Sequence, residues 1–356
     1  MTLALSIFVW VASVAYLFIH GIDAIEGRNP YQFFADANTY HDFARRVMSS
    51  NASELIGVGR NLIGPLVIVL MSGDNYYVIS AVNVAIFYTS VRLISWDAGL
   101  DPLLFAVLLL LNPMTISSLM AANKEILSLL FLALLLRAWL RQSGLWLGLA
   151  ALVAIGVRWQ LLAFLLLLLP LALGWRLPRR NRVLILVSLS VGLSIAYALG
   201  QPLLSDVNDN FIAATQSYSE GSGLFSKLVL LQMEGLYFLV APLKAAHLLF
   251  GLGLRFDRLL SPVEIYNDVW QLLGSTSLLM AFTTLLAKRL FRLENDLVFI
   301  SVIYILFFSL SPIYAPRYFY VVYVIWTLVY CLRPQIVQSP RFDGISKLHP
   351  LAHHRG

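Results

Sequence analysis

The stretch LSLLFLALLL, from Leu127 to Leu136, contains a single polar side chain, that of Ser128. Similar apolar runs extend from Leu103 to Leu111 and from Leu161 to Leu173, with short polar breaks between them. Only 12% of the 356 residues are charged, and the mean hydropathy is +0.78. A soluble chain of this length needs a charged shell over its core. The sequence therefore predicts an all-α fold, a polytopic integral membrane helical bundle.

Apolar runs that could cross a bilayer recur along the chain. Because a spanning helix needs roughly 20 residues, the sequence predicts about 10 transmembrane helices. Residues 62–71 are too short to cross and are predicted to form an interfacial helix. For Leu236 to Leu254 the sequence leaves a re-entrant pair or two further spans open. The predicted spans cover residues 3–20, 76–94, 102–120, 124–140, 143–157, 159–175, 183–199, 269–287, 296–311 and 318–332.

Two basic clusters indicate which loops face the cytoplasm. Arg176 to Arg182 reads RLPRRNR, and Lys288 to Arg292 reads KRLFR. Because Lys and Arg are enriched in cytoplasmic loops, this bias predicts that both termini lie inside and the long loops outside. We therefore expect an integral protein of the bacterial inner (plasma) membrane, with its active site on the outer face.

The chain is predicted to form one transmembrane domain, residues 1–335. Within it, residues 21–75 form a first external loop with amphipathic helices, and residues 200–265 form a second external region. Residues 336–356 are predicted to be a cytoplasmic tail. No internal repeat divides the chain into further units.

Charge and cysteine content exclude several classes of protein. The net charge is +6, but the basic residues lie mostly at the ends of apolar runs, where cytoplasmic loops and lipid headgroups explain them. Nucleic-acid binding is therefore not predicted. The single cysteine, Cys331, excludes a disulfide framework and a thiolate metal site. No spacing of His, Asp and Glu predicts a metal site, so no cofactor is assigned, although a divalent metal is left open.

A dense polar segment, FFADANTYHDFARR at residues 33–46, follows the first apolar run. Tyr40 and Ala44 are four residues apart, which places both on one face of a short helix. Asp36 lies at the amino end of that helix and is a candidate catalytic base. The alternative is that Asp36 only caps the helix, since aspartate is strongly preferred at that position. Asp42 lies one turn further along the same segment.

Charged residues also interrupt the apolar runs at three later points. Lys124 and Glu125 begin a predicted span, where they could also serve as an interfacial anchor. Arg158 lies between two apolar runs, which is costly at membrane depth unless an anion pairs with it or its side chain reaches the headgroups. Arg317 and Tyr318 precede the last span on the outer side. An arginine there opposes the positive-inside trend, which favours a phosphate or carboxylate partner.

The order of these motifs resembles that of the GT-C glycosyltransferases, multi-span enzymes such as the dolichyl-phosphate-mannose and aminoarabinose transferases. The resemblance rests on the first span, the loop motif Asp36-x-x-x-Tyr40-x-x-x-Ala44, the segment from Pro65 to Gly73 and the late Arg317-Tyr318 pair. It implies a GT-C-like fold and a polyprenyl-phosphate-linked sugar donor. It also implies that Asp36 is the acid of the first external loop. The family often has a second acid beside it, where this chain has Ala37.

The predicted function is transfer of a sugar from a polyprenyl-phosphate donor to a glycan or lipid acceptor. The enzyme needs a base for the acceptor hydroxyl and cations for the departing phosphate. Three alternatives remain: an envelope polysaccharide polymerase or ligase that uses a polyprenyl-pyrophosphate-linked oligosaccharide, a transporter or flippase, and a non-catalytic assembly subunit. The expected partners are donor, acceptor and membrane lipids. The assignments are Asp36 as base, Arg158, Arg317 and Lys124 for the donor phosphate, and Tyr40, Glu125, Tyr318 and Asp42 for acceptor or sugar.

Overall fold

The computed structural model describes residues 2–20, 37–49, 62–172, 179–200, 223–251, 269–312 and 316–332. Within these ranges the chain is helical and contains no strand, so the predicted all-α architecture is confirmed. The helices are α1 Thr2–His20, α2 Ala37–Ser49, α3 Ile63–Met71, α4 Tyr76–Ala98, α5 Pro102–Leu110, α6 Pro113–Met120, α7 Lys124–Arg141, α8 Gly144–Val157, α9 Trp159–Ala172, α10 Arg179–Gly200, α11 Gly223–Leu231, α12 Tyr237–Leu249, α13 Gln271–Ala287, α14 Asp296–Phe308 and α15 Tyr320–Cys331.

Short polar side chains fix where several of these helices begin. Asn75, Asp101, Asn112, Asn123 and Asn295 each accept hydrogen bonds from backbone N–H groups in the first turn of the helix that follows. Those N–H groups have no partner inside the helix, so a capping side chain stabilises the start by about 1 kcal/mol. The polar breaks between the apolar runs are therefore the residues that separate one helix from the next.

Long apolar helices indicate that the protein associates with a membrane. Among the described residues, the helical stretches Tyr76–Ala98, Asn181–Gly200 and Leu224–Leu249 are long and apolar enough to cross one. The pair α5 and α6 would qualify as a broken span. Several other helices are apolar but shorter. The count of about 10 transmembrane helices therefore remains a prediction.

The stretch Leu224–Leu249 is not a straight helix. It turns at Gly235, whose φ of 82° lies in the left-handed region that glycine adopts readily. The rings of Phe225 and His247 lie 5.7 Å apart, whereas a straight helix would separate these residues by about 33 Å. Helices α11 and α12 therefore fold back on each other as a hairpin. The turn comes just before the segment Leu236 to Leu254, for which the sequence left a re-entrant pair open.

The span predicted at 102–120 is not one continuous helix. Helices α5 and α6 meet at an angle of 90°. Asn112 accepts a hydrogen bond from the backbone of Met114 at 2.9 Å, which starts a new helix at that point. Pro113 has no N–H group to continue the preceding turn, so the Asn-Pro pair ends α5 and begins α6.

Arg182 of the first basic cluster lies at the same end of the bundle as the second cluster. Arg182, at the end of the first cluster, donates hydrogen bonds to the carbonyls of Leu293 and Glu294 at 2.8 and 3.0 Å. It also forms an ion pair with Asp296. The loop that follows the Lys288 to Arg292 cluster is therefore in contact with the first cluster. The cytoplasmic location of this end, and of both termini, remains a prediction.

Helix α7 lies at the centre of the bundle. It contacts α3, α4, α6, α8, α9 and α15, and 12 of its 18 residues are buried. Its amino end carries Lys124 and Glu125, so these two charged residues are placed where several neighbouring helices begin or end. That end of the bundle contains the polar residues described next.

Candidate functional site

A buried ion pair joins α7 to the break between α8 and α9. Arg158 Nη2 donates to Glu125 Oε1 at 2.8 Å, and the two side chains are only 6% and 3% exposed. Asn123 caps α7 and places Glu125 in the first turn, where the helix dipole favours a carboxylate. Arg158 interrupts the helical run with an extended backbone, which directs its side chain into the protein. It is therefore not an arginine that reaches out to the headgroups.

Tyr318 lies between two arginines. The guanidinium carbon of Arg158 is 4.4 Å from the centre of the Tyr318 ring, and that of Arg317 is 6.0 Å from it. The Tyr304 hydroxyl on α14 donates to the Tyr318 carbonyl at 2.9 Å and holds this turn in place. Arg317 also lines a small cavity together with Asn112. Arginine stacked on an aromatic ring keeps its hydrogen-bond donors directed outward in the ring plane.

Helix α2 packs against this end of the bundle through the face that the sequence predicted. Tyr40 and Ala44 are 1% and 0% exposed. The Lys124 ammonium lies 5.9 Å from the centre of the Tyr40 ring. Through this contact α2 adjoins the charged residues at the start of α7.

A histidine and an aspartate on α2 and the turn before α4 form a second polar pair, which the sequence analysis did not identify. His41 Nδ1 is hydrogen bonded to Asp74 Oδ1. Arg45 donates to the other oxygen of Asp74 at 2.7 Å. The His41 ring stacks on Tyr76, with ring centres 4.3 Å apart. Gly73 and Asp74 both adopt left-handed backbone conformations, with φ of 58° and 60°, and this sharp turn brings Asp74 to α2.

The structure brings most of the predicted site residues to one end of the bundle. Asp42 is the exception among the described residues, because its side chain is 64% exposed and approaches only Arg45, at 3.9 Å. Asp36, the predicted base, lies outside the described residues; α2 begins at the residue that follows it. No group of three or more His, Cys, Asp and Glu side chains in the described ranges could hold a metal ion. The residues that lie together are Tyr40, Lys124, Glu125, Arg158, Arg317 and Tyr318.

A buried lysine was also missed by the sequence analysis. Lys244 on α12 is 0% exposed and donates to the carbonyl of Ser311 at 2.8 Å and to the side chain of Gln232. Gln232 in turn donates to the carbonyl of Leu310 at 2.7 Å. These carbonyls follow the end of α14, where helices leave acceptors unsatisfied. The hairpin α11–α12 therefore holds the start of the connection that leads to Arg317. A single lysine within the apolar run 237–250 was the available signal.

Comparison with models of protein families, with curated proteins and with solved structures finds no match to this chain.

Proposed function

We propose that this chain is a membrane glycosyltransferase that moves a sugar from a polyprenyl-phosphate donor to a glycan or lipid acceptor. The observation that carries the proposal is the buried pair of Glu125 and Arg158, with Lys124 next to Glu125 in the chain and with Arg317 and Arg158 both close to the Tyr318 ring. Three cations at one end of an apolar bundle suit a ligand that carries both a phosphate and a long hydrocarbon chain.

The arginines would bind the donor phosphate. A guanidinium has five N–H donors, and Glu125 accepts from Arg158 Nη2, so Arg158 has further donors for phosphate oxygens. Arg317, stacked over Tyr318, would add a second planar fork. Preorganised cations of this kind stabilise the negative charge that develops as the phosphate departs.

The depth of Arg158 supports a lipid-linked substrate. Helix α8 has 14 residues, which corresponds to about 21 Å of helix. This is shorter than the hydrocarbon core, which is about 30 Å thick. The break that ends this helix at Arg158 would lie below the headgroup level of a bilayer, within reach of the phosphate of a membrane lipid.

The remaining features of the predicted enzyme belong to the same proposal. They are a GT-C-like arrangement of about 10 transmembrane helices, an outward-facing site in a bacterial inner membrane, and Asp36 as the acid of the first external loop. Tyr40, Glu125 and Tyr318 would form the side of the site that meets the sugar or acceptor. Asp42, whose side chain is 64% exposed beside Arg45, stays a predicted member of that side of the site.

The test is sugar transfer by purified protein from a panel of labelled polyprenyl-monophosphate and polyprenyl-pyrophosphate donors, with a bacterial lipid extract as acceptor. Arg317→Lys should raise the KM for the donor, because a point charge replaces a bidentate fork. Lys227→Arg, an exposed basic residue on α11, is the control. Turnover with monophosphate donors supports the proposal. Turnover only with a pyrophosphate-linked oligosaccharide assigns a polymerase or ligase instead, and no transfer with any donor rejects both.

A lipid transporter or flippase is the second candidate, because Lys244 is a buried ionisable residue in a helix pair broken at Gly235. Broken helices with buried charges are typical of transporter sites. Reconstituted protein would then move a fluorescent polyprenyl phosphate across liposomes without chemical turnover. Lys244→Met would abolish that movement.

A further inference from the structure

His41 is the one histidine of α2, and its second ring nitrogen is buried and has no partner in the part of the chain that the structure describes. The side chain is 1% exposed. Nδ1 is bonded to Asp74, whereas Nε2 has no hydrogen-bond partner among the described residues. Leaving a buried polar atom unsatisfied costs about 1–3 kcal/mol. Such an atom is retained most readily where a ligand supplies the missing partner.

The surroundings of His41 fix both its orientation and its tautomer. Asp74 accepts the proton of Nδ1, which leaves the lone pair on Nε2. Arg45 binds the other Asp74 oxygen at 2.7 Å and holds that carboxylate in place. The ring of Tyr76 stacks on the imidazole at 4.3 Å and prevents it from turning. A histidine held in this way by a carboxylate is the arrangement that makes an imidazole an effective general base.

The position of His41 relates this base to the phosphate site. It follows Tyr40, whose ring lies 5.9 Å from the Lys124 ammonium, and Lys124 precedes Glu125 of the buried ion pair. A proton acceptor and a group of cations are therefore neighbours on one end of the bundle. Transfer of a sugar between two oxygens needs these two elements on either side of the anomeric carbon.

We infer that His41 Nε2 is the general base that accepts the proton of the acceptor hydroxyl, a role that the sequence had assigned to Asp36. The inference rests on the proposed transferase function. As the acceptor oxygen bonds to the anomeric carbon, its proton passes to Nε2. The bond between that carbon and the phosphate oxygen breaks, and polyprenyl phosphate leaves with the electron pair. The imidazolium then releases its proton to water, which restores the base.

Helix α4 indicates the chemical class of the acceptor. Ser80 and Asn83 follow Tyr76 on the same buried face of this helix, and both are 0% exposed. Ser80 Oγ and Asn83 Oδ1 have no hydrogen-bond partner in the described part of the chain. Buried polar atoms without a partner among the described residues therefore extend from the His41–Tyr76 contact along the buried face of α4. They fit an acceptor with several hydroxyl groups, such as the sugar of a glycolipid.

The experiment compares full-length variants in nanodiscs, with the donor panel and the lipid extract named above. His41→Gln should lower kcat by about 100-fold or more, since general bases contribute that much, and should leave the donor KM unchanged. Asp74→Asn should lower kcat as well, because the amide no longer selects the tautomer. In His41→Ala, added imidazole should restore a measurable part of kcat. A residue that only holds the fold gives no such rescue.

Two control variants separate chemistry from packing. His247→Gln replaces another buried histidine, on α12, and Asp101→Asn replaces an aspartate cap by an equally good one. Both should keep wild-type turnover. Near-normal kcat in His41→Gln, or a lack of imidazole rescue in His41→Ala, overturns the inference while wild-type transfer still supports the transferase. Absence of transfer by the wild type rejects the proposed function itself and this inference with it.

Discussion

Replacing Glu125 by glutamine would leave the Arg158 guanidinium buried without its carboxylate. The two groups are 2.8 Å apart, and both side chains are more than nine-tenths buried. At an effective dielectric constant of about 20, their attraction at 2.8 Å is about 6 kcal/mol before desolvation is subtracted. Removing one partner of such a pair costs about 3–5 kcal/mol of unfolding free energy, because the remaining charge stays buried.

The double variant Glu125→Met with Arg158→Met makes the prediction specific. Because it removes both charges, it should regain most of the unfolding free energy that Glu125→Gln loses. Replacement of a buried ion pair by apolar residues is often neutral or stabilising by about 1–4 kcal/mol. Its transfer activity should nevertheless stay absent, because the proposed phosphate site needs Arg158. The pair would then be needed for function rather than for folding.

The assay is an equilibrium unfolding titration with SDS in mixed micelles, followed by Trp fluorescence, beside the transfer assay on the same preparations. Asp97→Asn serves as the comparison, because Asp97 also pairs with arginines, the half-buried Arg137 and the exposed Arg141, but at the far end of α4. A loss smaller than about 1 kcal/mol for Glu125→Gln would refute the burial argument. Transfer by the double variant would refute the claim that the proposed phosphate site needs Arg158.

Two further substitutions test how the site is supported. Gly64→Ala should destabilise the packing of α3 against α7 and α8, because a Cβ would lie 2.8 Å from Leu127 Cδ1 and 3.0 Å from the Gly156 carbonyl oxygen. Gly148→Ala should have no such effect, because the space around Gly148 is open. A lower midpoint temperature in a fluorescence melt measures the difference. Lys244→Met should lower the free energy of unfolding in the SDS titration by about 1–3 kcal/mol, since it removes the donor to the side-chain oxygen of the buried Gln232. Lys227→Met, at an exposed position, should leave that free energy unchanged.

Local signals in the sequence account for the helices and for single site residues. Apolar runs and their polar caps, such as Asn123 before α7, determine helices through residues close in sequence, so they can be recognised without knowledge of the fold. A charge in an apolar run, as at Arg158, likewise indicates that a partner exists. The identity of that partner is not local, because Glu125 lies 33 positions away in the chain.

The same distance in sequence separates His41 from Asp74. Their contact depends on a left-handed turn at Gly73 and Asp74, which only the packing of α3 against its neighbours selects. The turn at Gly235 was not predicted from the sequence for a related reason. A glycine in an apolar run is compatible with a continuous helix. The tertiary contact between Phe225 and His247 favours the turn over the continuous helix.

The short helix α8 also has a kinetic consequence. If the break at Arg158 meets its ligand within the bilayer, as proposed, the donor arrives by lateral diffusion and never enters bulk water. The concentration that determines the rate is then the mole fraction of donor in the membrane. Adding inert lipid or detergent at constant amounts of protein and donor will slow the enzyme, although no contact in the site has changed.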